Sequence, residues 1–272
     1  MGHVIATLPE REPVWGVTSL DNHLYVLRRK SSEQIEVYDI DSFSLQRSLT
    51  VRGLGHAYDI VACGHNRCAY ISDTRQNSVR RVVLPAGASI REWPVNDEPY
   101  RLSLTVRYNV LVTCDEVRKI KEFTTVGQLL REIVMSQDVL SPSHAVQLSS
   151  GELIVCHGDA GDPLHRVCLV GSDGQVVKSY GGSKGSGSQQ MNVPLHMAVD
   201  GNDFVFVVDQ NNCIVLLLSS ALTYLRDIVS RKQLKWKPHR LSLDVKRRRL
   251  YVAESEYKDG KYTAGRVIVV NV

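Results

Sequence analysis

Six residues capable of specific chemistry recur at similar spacing, most of them two positions after a proline: Trp15, Tyr58, Arg101, His144, His196 and Arg240. Two neighbouring histidines could begin a metal site, but zinc generally needs at least three protein ligands, and the other four positions are Trp, Tyr and two Arg. Arginine offers planar donors to a carboxylate or phosphate, and the aromatic rings offer stacking faces. The six residues therefore favour recognition over metal catalysis, with a purely structural ring as the alternative.

A second set of candidates combines basic and aromatic side chains: Arg28, Arg29, Lys30, Tyr100, Arg118, His157, Lys235, Trp236, Lys237 and His239. This mixture can bind phosphate while it stacks bases. Trp, Tyr and Arg also dominate the energetics of protein interfaces. Acidic residues such as Asp97 and Asp159 fall in the same class of loops, so the predicted surface is patchy and both RNA and protein stay open as partners.

Other motifs are interpreted as architecture. Carboxylates follow the second strand of four units, at Asp73, Asp115, Asp209 and Glu254, where a side chain can cap a turn. Arg28 and His157 take this place in the first and fourth units, which frees those two positions for another role. The glycine-rich loop 181–187 lacks the G-K-[ST] of a phosphate-binding loop and is predicted to connect blades. The basic run 246–249 is predicted to be a solvated turn on the opposite face.

The elements that must position these residues are repeated strands. Short apolar strands recur with equivalent positions at Val26, Ile71, Val112, Val155, Val207 and Val252, spaced by 45, 41, 43, 52 and 45 residues. Such a period is typical of one propeller blade. We therefore predict an all-β, six-bladed β-propeller.

The predicted domain spans 1–272, with blades at about 13–53, 54–96, 97–140, 141–192, 193–236 and 237–272. The sixth unit ends at its third strand, predicted at 266–270, and so lacks an outer strand. The segment 3–8 has the pattern of one, and its pairing into the last blade would close the ring and protect two edges. In such a ring, the loops between blades and the loops between second and third strands share one face, called here the loop face.

One stretch of the chain resembles the NHL repeat closely. It includes Tyr180-Gly181-Gly182, Asn192, Pro194 and the run Phe204 to Asp209, with weaker copies at 70–77, 112–115 and 238–254. The resemblance implies a six-bladed propeller such as those at the C-terminus of tripartite-motif ubiquitin ligases, where they bind RNA or protein. This sequence carries no RING, B-box or coiled coil, so the resemblance implies a substrate-recognition or scaffold domain without ligase activity of its own.

Composition narrows the remaining choices. The 272 residues carry a net charge of +4, and no apolar run approaches the length of a membrane span. The six cysteines stand singly, with no C-x-x-C pair, which predicts free thiols and a cytoplasmic protein. We expect a monomeric, non-enzymatic binding platform with no cofactor, no metal, no membrane contact and no DNA partner. The alternative is a metal-dependent propeller enzyme of the amidating-lyase or lactonase type.

Overall fold

The computed structural model describes residues 1–29, 34–86 and 88–272, which form six four-stranded antiparallel sheets. Short strands rich in β-branched and aromatic residues, separated by turn residues, favour this meander. The strands of blades 1 to 3, from the innermost outward, are β2 (Val14–Leu20), β3 (His23–Arg28), β4 (Gln34–Asp39) and β5 (Leu45–Thr50); β6 (Ala57–Cys63), β7 (Cys68–Asp73), β8 (Ser78–Val83) and β9 (Ser89–Pro94); and β10 (Arg101–Leu104), β11 (Val110–Cys114), β12 (Lys119–Phe123) and β13 (Leu129–Val134).

Blades 4 and 5 follow the same order, and blade 6 takes its outer strand from the start of the chain. Their strands are β14 (Pro142–Gln147), β15 (Leu153–His157), β16 (Leu164–Val170) and β17 (Val176–Ser183); β18 (Pro194–Val199), β19 (Val205–Asp209), β20 (Ile214–Leu218) and β21 (Tyr224–Val229); and β22 (Lys237–Asp244), β23 (Arg249–Lys258), β24 (Lys261–Asn271) and β1 (His3–Thr7). A short 3-10 helix, Arg231–Gln233, lies between blades 5 and 6.

The ring closes by pairing the two ends of the chain. β1 runs antiparallel to β24, with His3 opposite Asn271 and Thr7 opposite Ile268. The side chain of Leu8 just beyond it is 1% exposed. The predicted closure by the N-terminal strand is therefore confirmed, together with the all-β, six-bladed fold.

The core lies between the blades. The inner strand of each blade contacts the inner strand of the next, and β22 returns to β2. Within the described ranges, apolar side chains form a cluster between every pair of neighbouring blades, for example Val26 with Val267 between blades 1 and 6. Because each blade buries both faces against its neighbours, the side chains around the central channel are fixed in position.

Two departures from regularity matter for the site. Five inner strands, β2, β6, β14, β18 and β22, carry a bulge near their start, whereas β10 has none. The hairpin of β23 and β24 is longer than its counterparts in the other blades. β24 begins at Lys261, whereas the strand was predicted to begin at Arg266. The bulges change which side chains are equivalent, and the long hairpin brings Tyr262 to the channel.

The described cysteines Cys63, Cys68, Cys114, Cys156, Cys168 and Cys213 are all free and buried. None of the helices among the described residues has the length and hydropathy of a membrane-spanning helix.

Candidate functional site

The six predicted ring residues meet at the channel, but two of them belong to a different layer. The bulge makes Trp15 the extra residue of β2 and Tyr58 the extra residue of β6. In blades 4 to 6 the corresponding extra residues are Ser143, Leu195 and His239. Trp15 and Tyr58 therefore lie one position before the residues that match His144, His196 and Arg240.

The true equivalents in blades 1 and 2 are Gly16 and Asp59. In blade 1 the alignment was wrong because Pro13 precedes the first paired residue of β2, whereas Pro142 is itself that residue in blade 4. In blade 2 the first paired residue is Ala57, and no proline marks the register. Gly16 fits because blades 1 and 2 approach closely: a Cβ on it would lie 2.7 Å from Ile60 Cγ2. The inner ring is thus Gly16, Asp59, Arg101, His144, His196 and Arg240.

Side chains of this ring bind the backbone of the following blade. The Leu102 amide donates to Asp59 Oδ2 at 2.9 Å, the Met197 amide to His144 Nδ1 at 3.1 Å, and the Leu241 amide to His196 Nδ1 at 3.3 Å. Each bond connects neighbouring inner strands. Asp59, His144 and His196 therefore serve the fold, because their hydrogen bonds join neighbouring blades.

The ring also contains contacts between charged side chains and bonds from arginine. Asp59 lies 3.5 Å from Arg240 Nε and 3.8 Å from His196 Nε2, atoms that belong to blades 6 and 5. Arg101 donates from Nη1 to the Ser143 carbonyl at 2.8 Å. The channel is filled with side chains at this level, and Arg101, His144, His196 and Arg240 are buried. These four side chains are therefore not exposed on the loop face, and their contact with a macromolecule stays a prediction.

The histidine chemistry does not fit a metal ion. The ring nitrogens Nδ1 of His144 and His196 accept backbone amides, and His144 Nε2 donates to the Leu102 carbonyl at 3.2 Å. Their imidazoles stack with ring centres 3.9 Å apart. Burial lowers the pKa of each well below its usual value, so both are neutral at pH 7. Among the described residues, no group of three or more His, Cys, Asp or Glu side chains could hold a metal.

Aromatic side chains form the layer above the ring. The rings of Trp15 and Tyr58 are stacked with their centres 5.4 Å apart. The ring of Tyr262 is edge-on to that of Trp15, with the centres 5.3 Å apart. The Arg29 guanidinium lies 5.3 Å from the Trp15 ring and 5.9 Å from Tyr262. His239 is buried beside Tyr262 and bonds Ser255 Oγ at 2.7 Å. Tyr262, which sequence reasoning missed, covers the channel mouth on the loop face.

Three of the carboxylates predicted to cap turns, Asp73, Asp209 and Glu254, bind backbone amides. Asp73 accepts the His56 amide at 2.9 Å, Asp209 accepts the Asn192 amide at 2.8 Å, and Glu254 accepts the Lys235 amide at 2.7 Å. Each carboxylate thus holds the loop that leads into its own blade. Burial raises the pKa of Asp209, and also that of Asp115, to about 6.

Arg28 and His157 occupy the same place in blades 1 and 4 and are also buried there. Arg28 Nε donates to Glu36 at 2.9 Å, and its Nη1 donates to the Glu12 carbonyl at 2.8 Å. His157 contacts the Leu140 carbonyl through Nδ1 and Arg166 through Nε2. Both side chains are used internally, so neither is free for a partner.

A basic and aromatic cleft opens between blades 5 and 6 on the loop face. Its volume is about 460 Å³, and Trp236 and Tyr257 line it together with Arg231, Lys235 and Lys237. Tyr257 is exposed and Trp236 is half-buried, with Lys235 Nζ 4.6 Å from the Trp236 ring. We call these five residues the Trp236 cleft. The structure brings Lys235, Trp236 and Lys237 together in it, and Tyr257 and Arg231 complete it.

The remaining predicted residues lie apart from this cleft. Tyr100 is half-buried, and its ring is perpendicular to that of Tyr58, with the ring centres 5.2 Å apart. Arg118 is half-buried in the turn after β11, where its side chain makes no hydrogen bond to a described residue. Lys30 falls outside the described residues.

The opposite face carries the hairpin turns and a second channel opening. A cavity of about 540 Å³ lies there, with His144 and His196 among its lining residues. The basic run at 246–249 is on this face, as predicted, but it is not simply solvated. Arg247 donates to the Asp21 carbonyl and to Asn22, and Arg249 donates to the Ile40 carbonyl, so the turn connects blade 6 to blade 1.

No protein-family model and no curated protein matches the chain. Solved structures are similar to it in fold. A catalytically inactive virginiamycin B lyase from Staphylococcus aureus, with quinupristin, has 10% identity and a TM-score of 0.66, over 100% of this chain and 99% of the other.

Two further structures are comparable. Hydrazine synthase of Kuenenia stuttgartiensis has 16% identity and a TM-score of 0.64, over 92% of this chain and 75% of that one. A protein of unknown function from Bacteroides caccae has 12% identity and a TM-score of 0.63, over 84% and 85%. At these identities the likeness shows the propeller fold, which enzymes and other proteins share.

Proposed function

We propose that this chain is a non-enzymatic binding platform whose loop face engages a macromolecule, RNA or protein, through the Trp236 cleft. The observation that carries the proposal is the position of Trp236 and Tyr257 in one cleft with three basic side chains. Aromatic faces stack bases or fill a partner's pocket, and Lys and Arg contact phosphates or carboxylates.

The local structure supports a fixed site. Glu254 accepts the backbone amides of Lys235 and Trp236 at 2.7 and 2.6 Å, which holds the loop that carries the cleft. Lys235 Nζ contacts Glu10 at 2.7 Å, and Lys237 Nζ contacts Asn211 at 2.6 Å. A pre-positioned aromatic side chain loses little conformational entropy on binding.

An NHL-type identity is part of the proposal. It rests on the likeness of the segment 180–214 to that repeat, whose propellers bind RNA or protein at the C-terminus of tripartite-motif proteins. A role in substrate recognition for a ubiquitin ligase, and a cytoplasmic location, follow as further parts of the proposal. The six free, buried cysteines support the location, because free thiols are typical of reducing compartments.

Binding of a randomised single-stranded RNA pool at two salt concentrations tests the proposal. We expect the double variant Trp236→Ala/Tyr257→Ala to lose about 1 to 3 kcal/mol for each stacked base. Lys235→Gln/Lys237→Gln should reduce the salt slope by about 1.4, because two phosphate contacts on a single strand are lost. Tyr108→Ala and Lys246→Gln/Arg248→Gln, on the opposite face, should leave binding unchanged.

A protein partner would give a different pattern. Its capture should depend on Trp236 and Tyr257 but fall little with salt, since an apolar contact releases few counterions. If neither RNA nor any protein binds in a way that depends on Trp236, the proposal is wrong.

A propeller enzyme of the amidating-lyase or lactonase type is the second candidate, favoured by the similarity in fold to a lyase. Such an enzyme would require channel side chains with free lone pairs that can bind the metal. Nδ1 of His144 and of His196 already accepts a hydrogen bond from a backbone amide. Stoichiometric zinc or calcium in the purified protein would favour this candidate.

A further inference from the structure

The channel mouth on the loop face gathers two buried guanidinium groups around one tyrosine. The central carbon of Arg101 lies 5.6 Å from the centre of the Tyr58 ring, and that of Arg240 lies 5.1 Å from it. Arg101 is 5% exposed and Arg240 is 2% exposed. Burial and the charge of Arg101 both lower the pKa of Arg240, and like charges that interact in a buried site repel each other unless a negative charge compensates them.

The protein supplies little compensation at short range. Among the described residues, Asp59 is the only carboxylate within 4 Å of either guanidinium group, 3.5 Å from Arg240 Nε. Asp115 lies farther away, and burial raises its pKa to about 6 against the effect of Arg101. The neighbouring His144, His196 and His239 carry no charge at pH 7, because burial lowers their pKa values. Two positive charges therefore face one close carboxylate.

Hydrogen bonding at the mouth is also incomplete. Arg101 Nε, Arg240 Nε and Trp15 Nε1 are buried donors with no hydrogen-bond acceptor in the described protein. Buried donors are nearly always paired in folded proteins, and an unpaired one lowers stability. All three belong to side chains that pack on the Tyr58 ring. The excess charge and the unpaired donors thus occur at one place.

We propose that the mouth between Tyr58 and Tyr262 binds the anionic group, a carboxylate or phosphate, of a small ligand, with Arg101 and Arg240 as its donors. Guanidinium groups match the planar geometry of a carboxylate and the oxygens of a phosphate. Tyr58 and Tyr262 are partly exposed and lie over the buried arginines, so the ligand must move these rings apart to reach Arg101 and Arg240. The rings of Trp15, Tyr58 and Tyr262 favour a ligand with a flat apolar body beside its charge. This site adjoins the Trp236 cleft, because the rings of Tyr257 and Tyr262 are in contact with centres 5.0 Å apart, but the proposal does not depend on the function proposed for that cleft.

Calorimetric titration with inorganic phosphate, acetate and benzoate at constant ionic strength tests the site. Tightest binding of benzoate would identify a carboxylate ligand with an aromatic body, and tightest binding of phosphate a phosphorylated one. We expect Arg101→Gln and Arg240→Gln to weaken binding at least tenfold, by analogy with other charge-assisted contacts. The control Lys246→Gln/Arg248→Gln removes equal charge on the opposite face and should leave binding unchanged.

Asp59→Asn gives the decisive result, because it should tighten anion binding severalfold. It removes the competing negative charge, while the amide oxygen of Asn can still accept the Leu102 amide. A purely structural role of the two arginines predicts no such gain, so the test holds even if the arginine variants fail to fold. Wild-type protein that binds none of the three anions, or an Asp59→Asn variant with unchanged or weaker affinity, would overturn the proposal.

Discussion

At the scale of single residues, the channel keeps its histidines uncharged. Burial lowers the pKa of His144, His196 and His239 well below the usual value, and burial together with Arg166 lowers that of His157 to about 4. The unfolded chain titrates these groups near pH ~6.5. Below that pH the unfolded state binds protons that the folded state does not, so folding becomes less favourable.

The resulting prediction is a loss of stability on acidification. Each of the four histidines should lower the free energy of unfolding by up to about 1.4 kcal/mol for each pH unit below about pH 6.5. Above that pH they should have no such effect. Asp115 and Asp209 act in the opposite sense below about pH 6, because they bind protons more readily in the folded state. Denaturant titrations at pH 7.5 and 5.5 should show the lower unfolding free energy at pH 5.5. His196→Gln should flatten this difference, whereas His3→Gln, on an exposed strand position, should not.

Individual site residues were only partly predictable. His144, His196, Arg101 and Arg240 follow from the spacing of the repeat, and they do meet at the channel. Asp59 was missed because Ala57 stands in β6 where Pro142, Pro194 and Pro238 begin the bulges of the later blades, so no proline marked the register of β6. The available signal was a carboxylate inside an otherwise apolar inner strand.

At the scale of elements, the N-terminal strand is expected to be held in place chiefly by Leu8, the residue directly after β1. This side chain packs in the cluster between blades 6 and 1, and its amide donates to the Val267 carbonyl at 2.8 Å. Leu8→Ala should lower the unfolding free energy by about 2 to 5 kcal/mol, measured by thermal or urea unfolding. Ile5→Ala, at a position that is 37% exposed, should have a much smaller effect. Equal losses for the two variants would show that the N-terminal strand is not held chiefly by Leu8.

Arg249, directly after the turn between β22 and β23, connects blade 6 to blade 1. Arg249 Nη1 donates to the Ile40 carbonyl at 2.7 Å and to Asp41 Oδ1 at 3.0 Å. Arg249→Ala should reduce stability by about 1 to 2 kcal/mol, because it removes two partly exposed, charge-assisted bonds. Lys246→Ala, an exposed neighbour without such a partner, serves as the control and should be neutral. An Arg249→Ala variant as stable as the wild type would mean that these two bonds do not stabilise the junction of blades 6 and 1.

The long β23–β24 hairpin was the element that sequence reasoning judged least well. Its third strand was predicted from Arg266, so Tyr262 was placed in a loop. The alternation of apolar and polar residues does not show where the strands of a hairpin end when polar residues such as Lys258 and Lys261 occupy both strands near the turn. The cover of the channel mouth was therefore visible only in the structure.

At the scale of the whole molecule, blade number and closure were predictable because they depend on periodicity. Six equivalent apolar positions specify six blades, and a sixth unit that lacks an outer strand requires one from elsewhere in the chain. The same fold recurs at 10 to 16% identity in the solved structures. Function does not follow at this scale, since an inner ring of bonded side chains can occur in an enzyme or in a binding protein.

The pairing of His3 with Asn271 also affects how the protein is made. During synthesis the first strand leaves the ribosome long before its partner Lys261–Asn271 exists. Until then the growing chain has two unpaired sheet edges, which other chains could bind. Full protection should therefore arise only after Lys261–Asn271 has been synthesised, so a chain that stops before this strand would have an unsealed ring and be prone to aggregate.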